Sequence, residues 1–295
     1  MSVEITPSYE PESGTWTYLL ADPVQCVAVI IDPVWVFDPV SGRVSTQQID
    51  VLLNIAQQRN YRIEWVLETH AHADHLSSAG YIRDQTGARI AIGRGICAVQ
   101  KTFTRVFNLK DIATDGSQFD RLLDDGDMIP LGALAIRVMQ TPGHTGDSLT
   151  YLVEDAAFIG DTLFAPPYGT ARCDFPGGNA SDLFDSIQRI HGLPDTTRLF
   201  LCHDYAKDGT PPVNMVPISE SRQNNIHIKT GTDREAYIAM RTQRDARLSL
   251  PRLLLPALQV NIRAGSAPAG DDNDVPYLRL PFNRTIAQIL AGESH

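Results

Sequence analysis

The segment that most constrains this chain is residues 70–75, which read His-Ala-His-Ala-Asp-His. Three imidazoles and one carboxylate so close together are unfavourable in a folded interior unless a cation satisfies them. Residues two apart on an extended strand face the same side, so His70 and His72 can converge on one ion. Asp74 and His75 then turn with the chain toward a neighbouring position. The segment therefore predicts a metal site.

Further candidate ligands stand where later strands are predicted to end. The segment 70–75 itself follows an apolar run, residues 63–67, that predicts a buried strand. His144, Asp161 and His203 occupy similar transitions from strand to loop. A lone histidine in a turn is more often a surface or core residue than a ligand, but the nearby cluster favours ligation here. The remaining histidines have no such setting and are assigned no role: His191, His227 and His295.

The overall charge favours a small molecule as the partner. The chain of 295 residues has a net charge of −10 and no long run of Lys or Arg. Nucleic acids and anionic membranes are held by clustered positive charge, so neither is expected to bind. We find neither a signal-peptide pattern nor a membrane-spanning stretch, and the four cysteines form no CxxC pair. A soluble, cytoplasmic protein in a reducing compartment is therefore predicted.

Apolar runs separated by turn residues predict β-α alternation, which is typical of layered α/β proteins. Strands are predicted at 16–20, 26–31 and 34–37 as an opening meander, and at 63–67, 89–92, 135–140, 149–153, 157–159 and 199–201. Helices are predicted at 46–59, 75–85, 96–107 and 180–190. Beyond about residue 219 the chain becomes helical and then rich in proline. We therefore predict a catalytic domain over 1–230 and a C-terminal extension over 231–295, packed on the core.

The series of candidate ligands resembles that of the metallo-β-lactamase superfamily. The matching elements are HxHxDH at 70–75, Pro-Gly-His-Thr at 142–145, Gly-Asp at 160–161 and the late His203. The resemblance spans roughly residues 14–205. It implies an α/β fold of the αββα sandwich type, with two mixed β-sheets face to face, helices outside and a metal site along one edge. It does not select a reaction.

One reaction class compatible with this series is thioester hydrolysis of the glyoxalase II type. Two zinc ions would activate a bridging water and polarise the thioester carbonyl. His70, His72 and His144 would hold one ion, Asp74, His75 and His203 the other, and Asp161 would bridge them. Because all of these residues are present, ligand identity alone does not exclude the hydrolase.

Outside the ligands, the sequence resembles the persulfide dioxygenases, and especially their longer bacterial members. The matching stretches are 69–75, 148–163, 169–175, 202–205, 219–225 and 253–265. Most telling is Arg172, which is followed two residues later by Asp-Phe. The dioxygenases show this pattern, whereas glyoxalase II carries a different motif in that region.

This second resemblance implies one Fe(II) per chain, held by His70, His144 and Asp161. Such a two-histidine, one-carboxylate face leaves coordination positions open for oxygen and a substrate sulfur. The other motif residues would then surround the iron without binding it: His72, Asp74, His75 and His203.

The implied substrate is glutathione persulfide, oxidised with O2 and water to sulfite and glutathione in sulfide detoxification. Glutathione carries two carboxylates, so its site should offer cationic and hydrogen-bonding groups. Our candidates for this role are Arg172, Tyr205, Arg222 and Thr145. A homodimer is a further hypothesis. A nuclease and a non-catalytic member are the remaining alternatives; the acidic balance disfavours the first and the complete ligand set the second.

Overall fold

The computed structural model describes residues 2–205 and 210–292, so His295 lies outside the described residues. The strands are β1 (Glu4–Glu10), β2 (Thr15–Asp22), β3 (Val27–Ile31), β4 (Val34–Asp38), β5 (Arg43–Ser45), β6 (Arg62–Leu67), β7 (Leu76–Ser77), β8 (Arg89–Gly93), β9 (Arg121–Leu123), β10 (Met128–Leu131), β11 (Leu134–Gln140), β12 (Leu149–Val153), β13 (Ala156–Phe158), β14 (Arg198–Phe200) and β15 (Met215–Pro217). The helices are α1 (Gln47–Gln58), α2 (Ala79–Thr86), α3 (Ile96–Val106), α4 (Ala180–His191), α5 (Ile218–Asn224), α6 (Arg234–Asp245), α7 (Leu254–Asn261) and α8 (Ile286–Ala291).

Two mixed six-stranded sheets face each other across the main core. Their strand orders are β1-β2-β3-β6-β8-β9 and β10-β11-β12-β13-β14-β15. Neighbouring side chains of β2 show how the layers form, because they point alternately to the two faces of the sheet. Tyr18 and Leu20 enter the core between the sheets, whereas Leu19 packs into the cluster beneath the helices.

Helices cover both outer faces of this sandwich. Ile49 of α1, Ile82 of α2 and Phe103 of α3 share one buried cluster with Leu19 on the first sheet. Leu183 of α4 belongs to the corresponding cluster on the second sheet. Since both faces of the first sheet are covered, every residue of β3 is buried. The predicted αββα architecture is confirmed.

Two local predictions are wrong. The predicted third strand of the opening meander, β4, leaves the large sheet and joins a small sheet of order β5-β4-β7. The helix predicted from residue 75 begins only at Ala79, because Leu76 and Ser77 pair with β4 instead. This pairing fixes the end of the histidine-rich segment against a neighbouring strand.

The part of the chain after residue 230 lies on the core. In α6, the Tyr237 ring contacts Phe184 of α4 with centroids 5.6 Å apart. Leu254 and Leu258 of α7 belong to the buried cluster that α1, α2 and α3 form on the first sheet. The domain boundary at residue 230 stays a prediction. Among the described residues, no helix combines the length and apolarity needed to cross a membrane.

Candidate metal centre

The candidate ligands meet at one edge of the sandwich, where strands of both sheets end. Residues 70–75 follow β6, His144 follows β11, Asp161 follows β13 and His203 follows β14. Two groups form there, each with potential ligand atoms within 4.8 Å of one another. They consist of His70, His144 and Asp161 in the first group, and His72, Asp74, His75 and His203 in the second. The structure therefore brings together every metal ligand proposed from the sequence.

Hydrogen bonds with neighbouring residues orient the two histidine rings of the first group. Asp161 Oδ2 lies 3.9 Å from His70 Nε2 and 3.7 Å from His144 Nε2. His144 Nδ1 donates to the Arg172 carbonyl at 2.7 Å. His70 Nδ1 lies 3.0 Å from Thr69 Oγ1, which itself donates to Asp32. Because each Nδ1 is engaged with the protein, each Nε2 is free to present its lone pair to a metal.

The second group has a similar arrangement around Asp74. His203 Nε2 lies 3.0 Å from Asp74 Oδ2 and 3.4 Å from Asp161 Oδ1, yet it has no hydrogen-bond geometry with any described residue. His75 Nδ1 lies 3.3 Å from Asp74 Oδ1, and its Nε2 has no partner in the same part of the chain. The second group can therefore also donate lone pairs to a cation.

The His72 ring lies close to two carboxylates, Asp32 and Glu68, that the sequence analysis missed. Its Nε2 lies 3.1 Å from Asp32 Oδ1 and 3.5 Å from Glu68 Oε2, all three side chains being buried. Burial disfavours the charged ring, but Asp32 and Glu68 raise the pKa of His72 well above its ordinary value. Both acids directly follow buried strands, and that position was the available signal.

The unsatisfied buried atoms at this edge fit a metal ion. Those without a hydrogen-bond partner among the described residues include His70 Nε2, His72 Nδ1, His75 Nε2, His203 Nε2 and Asp161 Oδ1. Buried polar atoms are nearly always paired, and leaving one unpaired costs free energy. Imidazole and carboxylate together suit iron and zinc. A cation bound among these atoms would satisfy them.

The turn before His144 depends on glycine. Gly143 has a φ of +141°, and an added Cβ would lie 2.3 Å from the backbone N and Cα of Leu183. Any side chain at this position would therefore push the turn away from α4. The close approach fixes where His144 projects from the second sheet.

The C-terminal extension reaches the metal centre through one buried amide. Asn261 Nδ2 donates to the carbonyls of His72 and His75 at 2.8 and 2.9 Å. Its Oδ1 accepts from Ser77 N–H at 2.8 Å. The backbone at the second and third histidines of the segment is thereby tied to α7.

A cavity of about 380 Å³ opens beside the first group, and its wall includes His144, Asp161, Arg172 and Tyr205. This volume lies in the usual range of small-molecule sites. The Arg172 guanidinium donates to Asp174 at 2.6 Å and to the Ser249 carbonyl. The cavity therefore joins the candidate metal centre to two of the side chains proposed for substrate binding.

The other two proposed substrate contacts are placed elsewhere. Arg222 pairs with Asp195 and donates to the Leu193 carbonyl, and the Thr145 hydroxyl lies 2.6 Å from that of Ser148. Within the described part of the chain, neither residue lines the cavity. Two residues that the sequence analysis did not select, His227 and Arg244, do line it. The only signal for His227 was its position directly after the matched stretch 219–225.

We expect the buried thiols Cys173 and Cys202 to resist alkylation in the folded protein. Burial raises the pKa of Cys173 to about 12 and that of Cys202 well above its ordinary value. Since the thiolate is the reactive form, iodoacetamide at about pH 8 should modify the partly exposed Cys26 and Cys97 first. Peptide mass spectrometry measures this, with urea-unfolded protein as the control. Faster modification of Cys173 than of Cys26 in folded protein would contradict it.

The fold and the two buried ligand groups define a metal-binding αββα protein. Residues 21–203 match the metallo-beta-lactamase superfamily, and the chain belongs to that family.

Similar proteins carry names from both reaction classes. A probable metallo-hydrolase of Burkholderia pseudomallei is 47% identical, covering 93% of this chain and 97% of its own. Glyoxylase B2 of Dictyostelium discoideum is 43% identical, covering 95% and 97%. The human mitochondrial persulfide dioxygenase ETHE1 is 30% identical, covering 67% and 66%. The crystal structure of ETHE1 from Myxococcus xanthus is 31% identical with a TM-score of 0.71, covering 89% of this chain and 100% of that one.

Proposed function

We propose that this protein is a non-heme Fe(II) persulfide dioxygenase that oxidises glutathione persulfide with O2 and water to sulfite and glutathione. The observation that carries the proposal is the position of Arg172. Its segment resembles the dioxygenases rather than glyoxalase II, its carbonyl accepts from His144 Nδ1, and its side chain lines the cavity. A dioxygenase-like feature thus directly contacts a proposed ligand.

In this proposal His70, His144 and Asp161 hold the iron. When bound, the iron would supply open coordination positions for oxygen and for the terminal sulfur of the persulfide. The protein's part is to orient the ligands, through Thr69 at His70 and the Arg172 carbonyl at His144. Such outer partners fix ring orientation and tautomer.

We assign substrate contacts to Arg172 and Tyr205. Tyr205 stacks on His203 with ring centroids 5.9 Å apart, so its phenol stands beside the metal centre. Tyrosine is protonated near neutral pH and can donate a hydrogen bond to an anionic persulfide. Phe164 and Phe175 add apolar side chains to the wall of the cavity. Arg222 and Thr145 receive no substrate contact in this proposal.

A hydrolase with two zinc ions is the second candidate. It is favoured by the second ligand group, in which Asp74, His75 and His203 lie together with His72. The relatives named as a metallo-hydrolase and a glyoxylase, 47% and 43% identical, point the same way. The two candidates differ in metal content and in their need for oxygen.

Metal analysis of anaerobically purified protein, combined with oxygen uptake, separates the two. The dioxygenase should contain one iron per chain and consume one O2 for each sulfite formed from glutathione persulfide. Thiosulfate and glutathione thioesters serve as control substrates, because neither should trigger oxygen uptake. Two zinc ions and thioester hydrolysis without oxygen uptake would refute the dioxygenase.

His203→Ala should distinguish the roles of the second ligand group. If His203 lies near the iron without binding it, the variant should retain close to one iron per chain. It should then lose less activity than a variant of a residue that binds the iron. If His203 binds a second ion, one equivalent of metal should disappear in elemental analysis. His191→Ala is the matched control, since His191 contacts Ser221 and lies outside both ligand groups.

A further inference from the structure

The cavity beside the metal centre has a second end with a different charge. Its wall includes His227, Arg241 and Arg244 in addition to the residues near the metal centre. The charged groups that shift the pKa of His227 are Arg241, Arg244 and Asp245. By contrast, Asp74 and Asp161, which also line the cavity, belong to the two candidate ligand groups. One end of the cavity is therefore rich in carboxylates and imidazoles, and the other in arginines.

Only part of the positive charge at the arginine end is neutralised. Arg241 is buried and pairs with the buried Asp245. Arg172, which also lines the cavity, pairs with Asp174. Arg244 has no ion pair or side-chain hydrogen bond within residues 2–205 and 210–292. Among the described residues that line the cavity, the exposed guanidinium of Arg244 is therefore the arginine charge that no carboxylate pairs with.

His227 adds a neutral donor beside this cation. Its Nδ1 accepts a hydrogen bond from Thr170 N–H at 3.0 Å. Burial, reinforced by Arg241 and Arg244, lowers the pKa of His227 to about 4, so the ring is neutral near pH 7. A neutral imidazole that accepts at Nδ1 carries its proton on Nε2. Asn225 holds the backbone of His227 in place, because its Oδ1 accepts a hydrogen bond from the His227 backbone N–H.

We propose that Arg244 and His227 form a subsite for a carboxylate of the thiol that carries the persulfide sulfur. The inference rests on the proposed function for the identity of that thiol, which is a carboxylate-bearing peptide such as glutathione. Arg244 belongs to α6 in the C-terminal extension, so this part of the chain would supply specificity for the carrier.

The chemistry of the subsite favours a carboxylate. Guanidinium binds carboxylate oxygens with paired N–H donors, and a neutral N–H can serve a remaining lone pair. One uncompensated positive charge matches a monoanion such as a carboxylate, whereas a phosphate dianion would need more than one positive charge. The chain's net charge of −10 repels anions in general, so a local cation in the cavity matters for recruiting one.

Equilibrium dialysis of reduced glutathione against the purified metal-loaded protein, without oxygen, tests the subsite. Arg244→Gln should weaken glutathione binding about tenfold, and Arg244→Lys less. Arg247→Gln is the matched control, because Arg247 is exposed like Arg244 and lies three residues further along the chain, but does not line the cavity. Equal affinity of the two glutamine variants would overturn the proposal.

Two modified ligands identify the carboxylate. Glutathione monoethyl ester masks the glycyl carboxylate, and cysteinylglycine lacks the γ-glutamyl group. One of them should bind the wild-type protein about tenfold more weakly and should lose no further affinity in Arg244→Gln, because that variant already lacks the partner. If both ligands still lose a further tenfold in the variant, Arg244 does not contact either carboxylate.

His227 and the reaction itself are tested separately. His227→Leu should weaken glutathione binding several-fold, and His227→Gln should restore part of it because an amide keeps a donor. In turnover, Arg244→Gln should raise KM for glutathione persulfide and leave kcat nearly unchanged. Arg244-dependent binding without any oxygen uptake would refute the dioxygenase and leave the subsite standing. Oxygen uptake with an unchanged KM in Arg244→Gln would refute the subsite and leave the dioxygenase standing.

Discussion

Asp161→Ala should lose bound metal and turnover together. Asp161 is the only anionic residue in the first ligand group, and its Oδ2 lies near both His70 and His144. Outer-sphere partners alone change metal affinity by about 10- to 100-fold, so the loss of a direct anionic ligand should cost at least about 100-fold. Elemental analysis and oxygen uptake on the same sample measure the two effects.

Asp155→Ala is the matched control for this experiment. Asp155 is an exposed carboxylate directly before β13, the strand that Asp161 follows, and it pairs with Arg198. It should keep wild-type metal content and activity. Full metal occupancy in Asp161→Ala would show that Asp161 is not a ligand, and circular dichroism would establish that both variants are folded.

The buried ion pair of Arg241 and Asp245 should be the most sensitive point of stability in the C-terminal extension. Their side chains are 2% and 5% exposed. Arg241 also donates to the Thr170 carbonyl at 3.0 Å, and Asp245 accepts from Cys173 N–H at 2.8 Å. Asp245→Ala leaves the guanidinium buried without its partner, so the free energy of unfolding should fall by about 3–5 kcal/mol. Urea unfolding measures it.

Removing both charges of this pair should cost less than removing one. Arg241→Met combined with Asp245→Leu removes the unpaired charge and should recover a large part of the loss. The exposed pair of Arg234 and Asp185 is the control, and Asp185→Ala should cost no more than about 1 kcal/mol. Equal losses at Asp185 and Asp245 would contradict the prediction.

The sequence predicts which candidate ligands lie together in the fold, because the information is local. Residues 70–75 concentrate several donors in one short stretch, and the others follow strands whose apolar patterns are clear. The αββα layering follows from the same strand and helix patterns together with the family resemblance. The one misplaced helix start, at Ala79, arises because two residues pair with a strand more than thirty positions earlier. Long-range pairing of so short a strand leaves no periodic signal.

The direction of the other side chains at the site was much harder to predict than the meeting of the candidate ligands. Arg172 and Arg222 look equally suitable in the sequence, yet of these two arginines Arg172 lines the cavity and Arg222 pairs with Asp195. His227 lies two residues after the matched stretch 219–225 and Asn261 lies within 253–265, but neither stretch indicates which backbone the side chain contacts after folding. Tertiary packing decides such contacts.

From the hydrogen bonds of Asn261 we expect a particular order of events during biosynthesis. The ribosome completes the histidine-rich segment long before it adds Asn261, so the nascent segment lacks the contacts to the His72 and His75 carbonyls. We expect the segment to reach its final shape only after α7 docks. Metal binding and folding are coupled wherever the ligands are not preformed. Metallation is therefore expected to be a late step in maturation, gated by a helix that contributes no ligand.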